Sequence, residues 1–202
     1  MKLIGTPASP FTRKVRVAAI EKKIDLEFQI DNPWSSTTGV PKANPVGRVP
    51  VLLLEDETAL YDSRVSAEYL DSASPVGRLI PHEPRERIEV KRWEALADET
   101  LASGVLARLE RAREPALRSQ DWIDRQLGKV HAGVDAMEQQ LGTRAWCCGN
   151  TITLADIAVG CAVLWLEFRF PEVAWRATRP SLDRLVSRLS ERASFQDTPP
   201  SA

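Results

Sequence analysis

The stretch SASPVGRLIPHEPRER (residues 72–87) separates two kinds of periodicity in the chain. Pro75, Gly77, Pro81 and Pro84 interrupt any regular pattern across it, because each proline lacks an N–H and fixes its own φ. Pro84 suits the first turn of a new helix. Before this stretch, short apolar runs alternate with helical ones; after it, the sequence reads as helix throughout. The boundary therefore predicts an N-terminal domain over residues 1–78 and an all-helical C-terminal domain over residues 85–202.

Working back from the boundary, KLIG (2–5) reads as a short buried strand and Pro10 to Lys23 as a helix. LEFQI (26–30) alternates as a strand does, VPVLLLED (49–56) and TALYD (58–62) read as two more, and Ser63 to Ala73 as a helix. The order is β-α-β, then β-β-α. Asp56-Glu57 fits a two-residue hairpin apex, which makes the last two strands antiparallel neighbours. A small mixed sheet with helices packed on it follows.

Working forward, Ile123, Leu127, Val130, Val134, Met137 and Leu141 step by four and three along a helix over Ser119 to Leu141, with Gly142 at its stop. Trp93, Ala97, Leu101, Val105 and Leu109 stripe an earlier helix, and Leu182, Leu185, Val186 and Leu189 a later one after Pro180. These make a helical bundle. The tail QDTPPSA (196–202) reads as a loose or surface-bound end.

Composition narrows the class. The 202 residues carry 27 basic and 28 acidic side chains, a net charge of -1, which gives no basic stripe for a nucleic acid. The start MKLIGTPASP has no apolar run of signal-peptide length, and Ile157 to Leu166 is too short to span a membrane. The three cysteines, Cys147, Cys148 and Cys161, have neither a disulfide framework nor metal-ligand spacing. A cytoplasmic protein with no metal is expected.

Three short segments can carry chemistry. In TPASPFTRKVR (6–16), Ser9 before Pro10 is a standard helix start, its hydroxyl accepting from a first-turn N–H. The same hydroxyl, at the positive end of a helix, can also donate to a bound anion. If that anion is a thiolate, a pKa lowered from about 8.5 to about 6.5 raises the ionised fraction at neutral pH about 25-fold. In NPVGRVPVL (44–52), a cis Val49-Pro50 bond would turn the Val49 N–H and C=O outward to pair with a peptide-like ligand; a plain turn before an edge strand is the alternative. In YDSRVSAEYL (61–70), Asp62 and Ser63 are good helix caps, and together they can grip an α-amino acid end: the hydroxyl and helix N–H groups its carboxylate, Asp62 its ammonium.

Taken in order, SPFTRKVR after the first strand, NPVGRVPVL at the third and DS at the last helix of the domain resemble the N-terminal domain of the soluble glutathione transferases. The all-helical second half resembles that family's C-terminal domain. GNTITLADIAV (149–159) is similar to its capping box and hydrophobic staple, with Thr153 and Asp156 as the box and Ile152 and Ile157 as the staple. Their role there is folding, not catalysis.

The resemblance implies a thioredoxin-like N-terminal domain that binds glutathione as cosubstrate. It implies Ser9 donating to the glutathione sulfur, Val49 before a cis Pro50 pairing with the cysteinyl backbone, and Asp62 and Ser63 holding the γ-glutamyl end. Phe11 completes the glutathione-binding set, with Arg48 near the glycyl carboxylate. The second substrate, a small hydrophobic electrophile or a peroxide, would lie against the first long helix, where Trp93, Thr100, Gly104 and Arg108 occupy candidate faces. Most of these four are expected to be ordinary core or surface residues. Because SPFT has no thiol, dithiol cycling at this site is excluded and a serine-type transferase is implied; the serine-rich start of the maleylacetoacetate isomerase branch is also missing.

The family resemblance further implies a homodimer. Arg13, Lys14 and Arg16 are candidates to meet Glu94, Asp98 and Glu99 across its interface, with solvated charged faces as the alternative. A non-catalytic or regulatory binding protein that keeps the fold is the competing function.

Overall fold

β1 (Lys2–Gly5) forms because its apolar residues must be buried: Leu3 and Ile4 lie in the core, flanked by sheet partners on both sides. It is followed by α1 (Pro10–Glu21), β2 (Glu27–Ile30), α2 (Val40–Ala43), β3 (Val51–Leu53), β4 (Ala59–Leu60) and α3 (Ser63–Ala73). The strand order is β2-β1-β3-β4, with β1 parallel to β2 and antiparallel to β3, and β3 antiparallel to β4. Parallel β1 and β2 need a crossover, and α1 supplies it. The structure, a computed structural model, describes residues 1–201.

The short α2, bracketed by Gly39 and Asn44, has no periodic signature and adds an element to the order expected from the sequence. The hairpin departs from the sequence reading. The β3–β4 connection has three residues, Glu55, Asp56 and Glu57, in place of a two-residue apex. Leu54 N donates to Thr58 O at 2.9 Å, Glu57 N donates to Leu54 O at 3.2 Å, and Glu57 takes φ 65°. A turn followed by one left-handed residue is the usual three-residue solution, and a non-glycine accepts it here.

The boundary segment is held by charge. Lys22 Nζ, at the end of α1, lies 2.9 Å from Asp71 Oδ1 on α3 and donates to Gly77 O at 2.7 Å. Asp71 also accepts from Leu79 N and Ile80 N at 2.8 and 3.1 Å. Both charges are buried, and this many partners is what a buried ion pair requires.

The second compact unit is Glu83–Leu189. It contains α4 (Pro84–Arg111), α5 (Gln120–Leu141), α6 (Leu154–Arg169), α7 (Trp175–Thr178) and most of α8 (Pro180–Ser190). Ser119 caps α5, accepting from Trp122 N at 3.2 Å, and Gly142 stops it at φ 55°. α4 packs on both α5 and α6. Its expected stripe fails past Leu101: Gly104 and Ala107 are buried, whereas Val105 and Leu109 are half-exposed. A stripe stepping strictly by four rotates about 40° around the helix at each step, so by its third step, a little over three turns on, it has turned about 120° and left the buried face.

The tail is the larger correction. The chain from Ser190 onward, which the sequence places in the domain over 85–202, packs instead with Met1–His82, so that of the two expectations for QDTPPSA (196–202), loose or surface-bound, the loose end does not hold. α9 (Ala193–Gln196) lies on α1, Phe195 is 3% exposed and Thr198 fully buried. Contacts spanning more than 170 residues of sequence, made through a four-residue helix, leave no local pattern to read.

Candidate functional site

The sheet register brings the three candidate segments to one end. Ile4 pairs with Val51 and Leu52 with Leu60. Continued one or two residues past the strands, these registers put Pro50 beside Gly5 on one side and Asp62 on the other. The start of α1, the Val49-Pro50 bond and the start of α3 therefore gather at the same edge of the N-terminal unit.

Ser9 is the N-cap of α1, with extended backbone, and its Oγ accepts from Thr12 N at 3.2 Å. Its N–H donates to Thr6 O at 3.1 Å and its C=O accepts from Arg13 N at 3.0 Å. A hydroxyl can accept and donate at once. The Ser9 proton meets no acceptor among the described residues, and the residue is half-exposed. The cap and the donor are therefore compatible: the cap uses a lone pair and leaves the proton. The turn is seated tightly, because a Cβ at Gly5 would lie 2.5 Å from Thr12 Cγ2. Phe11 follows in the first turn of α1, half-buried.

The Val49-Pro50 bond is cis, as is Tyr61-Asp62. The Val49 side chain packs against Ile4, Val40 and Val51, while its N–H and C=O make no hydrogen bond among the described residues. Asn44 builds the approach: its Nδ2 donates to Arg48 O at 2.8 Å, its Oδ1 accepts from Val46 N, and Gly47 takes φ 64° to close the turn. Arg48 itself is exposed.

Asp62 caps α3, Oδ1 accepting from Arg64 N at 2.9 Å, and remains exposed. Ser63, the first residue of that helix, is 2% exposed, yet its hydroxyl makes no hydrogen bond among the described residues. Ser66 Oγ donates to Asp62 O at 3.1 Å and locks the turn. An exposed carboxylate beside an open hydroxyl at a helix start can hold an ammonium and a carboxylate together. Asn44 is the turn residue that the NPVGRVPVL motif already offers, whereas Ser66 is a supporting residue that the motif reading passed over; a Ser four residues past a cap is the signal that marks it.

The Thr153–Asp156 pair behaves differently. Asp156 is fully buried; its Oδ2 accepts from both Thr153 N and Thr153 Oγ1 at 2.8 Å, and its Oδ1 from Cys147 N at 2.7 Å. Burial raises its carboxyl above the ordinary aspartate value despite these bonds. Burial and the neighbouring Asp156 likewise push the Cys147 thiol up and the Cys148 thiol up to about 12. Both thiols are free, and both are inert packing groups of the loop before α6.

Of the helical candidates, Trp93 and Thr100 are core residues, and Gly104 is buried where a Cβ would lie 2.9 Å from Trp165. Arg108 is exposed. The charged residues suggested for an interface are mostly spent inside: Arg13, Lys14, Glu94 and Asp98 are all buried, Glu94 against Lys91 at 2.7 Å. Among the described residues no cluster of metal-ligating side chains occurs, and no helix is long and apolar enough to cross a membrane.

With this geometry, the chain matches the glutathione S-transferase N-terminal domain model over residues 8–73 and the C-terminal domain model over residues 120–188. It is 38% identical to the GST-like protein YibF of Escherichia coli over 202 residues, covering 99% of this chain and 98% of that one. A crystal structure of a glutathione S-transferase from Methylobacillus flagellatus with glutathione bound superposes with a TM-score of 0.96 at 42% identity, covering 99% of both chains. One from Methylobacterium radiotolerans, in complex with glutathione sulfonate, gives 0.95 at 40% identity, covering 100% of this chain and 95% of that one. The small mixed sheet with its capped helices, followed by a helical unit, is accordingly that of a relative in sequence as well as in shape, and the chain belongs to the glutathione S-transferase family.

Proposed function

We propose that this chain is a serine-type glutathione transferase, which binds glutathione at the α1–β3–α3 edge and stabilises its thiolate for attack on a small hydrophobic electrophile or a peroxide. The observation that carries this reading is the uncommitted proton of Ser9, at the same sheet end as the unpaired Val49 backbone and the open Ser63 hydroxyl. Glutathione complexes of relatives at about 40% identity support the ligand. Ser9 donates to the sulfur. Val49 pairs with the cysteinyl N–H and C=O as an added strand before Pro50, and Asp62 and Ser63 take the γ-glutamyl ammonium and carboxylate. Phe11 lies alongside in the first turn, and Arg48 reaches the glycyl carboxylate.

The nucleophile comes from the cosubstrate, so the protein's work is positioning and electrostatic stabilisation. A charge-assisted hydrogen bond together with a helix N-terminus accounts for a thiol pKa lowered by about two units. In the family's manner the active species is a cytoplasmic homodimer.

Glutathione titrated calorimetrically, with thiolate absorbance followed against pH, tests the reading. Ser9→Ala is expected to raise the bound thiol's pKa and to cut turnover at neutral pH about tenfold, with affinity changed less, as the ionised fraction falls when most of the lowering of about two units is lost. Unchanged turnover would leave Ser9 as a cap alone, and no binding at millimolar glutathione would favour a regulatory protein.

A further inference from the structure

Arg13 is a buried cation with its guanidinium turned to the returning chain. Its Nη2 donates to Phe195 O at 3.2 Å, its Nε meets Thr198 Oγ1 at 3.4 Å, and the Phe195 ring lies 5.2 Å from the guanidinium carbon. Thr198 Oγ1 in turn donates to Ser194 O at 2.7 Å, so one hydroxyl joins Arg13 to the segment's own turn. The segment is anchored again at the far end of α1, where Arg192 forms a fork on Glu21 at 2.6 and 2.7 Å and Ser194 Oγ donates to the same carboxylate. Burial works against that carboxylate's ionisation, and the bonds from Arg192 and Ser194 more than reverse it, holding Glu21 below its ordinary value. Arg16 adds a bond to Asp197 O at 3.3 Å.

The consequence lies in where Arg13 stands. Its backbone N–H closes the first helical bond of α1 onto Ser9 O, and Thr12, beside it, both donates to Ser9 Oγ and fills the space over Gly5. The turn that presents Ser9 is thus gripped from the sheet through Thr12 and from the returning segment through Arg13. A fork fixed by a carbonyl, a hydroxyl and a ring cannot rotate without dragging that turn.

We propose that Arg13 and Thr198 are positioning residues for the thiolate: the segment over residues 190–198, acting through Arg13, holds the first turn of α1 so that the Ser9 proton points at the glutathione sulfur. This rests on the glutathione reading above. It makes the C-terminal segment part of the site's support, although the sequence reading placed it in the other domain.

The test is Thr198→Val, which keeps shape and removes the hydroxyl, studied with Ser9→Ala and the double variant in the full-length chain. Thr198→Val is expected to raise the pKa of bound glutathione and lower kcat at neutral pH by about threefold, less than the roughly tenfold expected of Ser9→Ala, because the segment acts only through Ser9, and well short of the roughly hundredfold that a 1 Å misplacement can cost. The loss should be recovered as the pH rises, with KM for glutathione nearly constant. In the double variant Thr198→Val should add nothing to Ser9→Ala. Arg13→Lys, which keeps the charge and loses the fork, should reproduce the shift and stands in if Thr198→Val does not fold. If Ser9→Ala moves the thiol pKa while both support variants bind glutathione and leave it unmoved, the segment is merely structural and this proposal is overturned. If Ser9→Ala itself moves nothing, the reading of Ser9 fails and the positioning role falls with it.

Discussion

Ser9 and Thr153 occupy the same place in the grammar of a helix, the hydroxyl residue at the start, and they do opposite things. At α6 every donor of the cap is spent inside: the Thr153 N–H, the Thr153 hydroxyl and the Cys147 N–H all end on one buried carboxylate. At α1 the cap is made with a lone pair and the proton is left over, at a half-exposed position beside other unpaired polar groups. Chemistry at a cap resides in what the fold does not consume. A closed cap is a folding device, and an open one is a binding device.

The most forceful way to break this contrast is Asp156→Ala. It strands the Cys147 N–H and the Thr153 N–H in a fully buried setting, and an unmade bond of this kind costs about 1–3 kcal/mol each. A loss of about 3–5 kcal/mol in denaturant unfolding is expected, a large part of the stability of a domain this size. A loss below about 1 kcal/mol would show the closed cap to be no stronger than an ordinary surface one.

Ser9→Ala and Thr153→Val, measured side by side, sharpen the same contrast. Ser9→Ala should cost about 1 kcal/mol, the ordinary worth of a cap, while moving the bound thiol's pKa. Thr153→Val should cost at least as much and leave that pKa where it was, since its hydroxyl serves only Asp156. Were both to shift the thiol equally, the division into open and closed caps would be wrong.

What could be read in advance follows the same division. The caps at Ser9, Asp62 and Thr153 were legible because each is a local pattern of residue types next to a periodic run, and local patterns survive into the fold. The gathering of Ser9, Val49 and Ser63 was legible only through the family resemblance, because spacing along the chain does not state a sheet register; here it emerges from Ile4 opposite Val51 and Leu52 opposite Leu60. The burial of Arg13 was not legible at all. Its partners Phe195 and Thr198 lie more than 180 residues away, and a basic residue in a basic run reads as a solvated face until something is seen to cover it.

The smallest expected effect is a pH dependence that the closed cap has and the open one lacks. Burial raises the Asp156 carboxyl above its ordinary value. An acid whose pKa is higher folded than unfolded binds more protons in the native state between those two values, so stability falls as the pH rises through that window. Above the raised value both states are ionised and the contribution is flat. The bonds from Thr153 and Cys147 oppose the shift, which keeps the fall modest. Asp156→Asn keeps an acceptor and does not titrate, so the stability difference between the original protein and this variant isolates the effect from carboxylates such as Glu21, whose lowered pKa acts with the opposite sign. That difference should move against the original protein as the pH climbs from the ordinary aspartate value and then level off. A difference that moved the other way would mean that the hydrogen bonds, not burial, set the charge of this cap. The closed cap would then hold its carboxylate as favourably as an exposed one does.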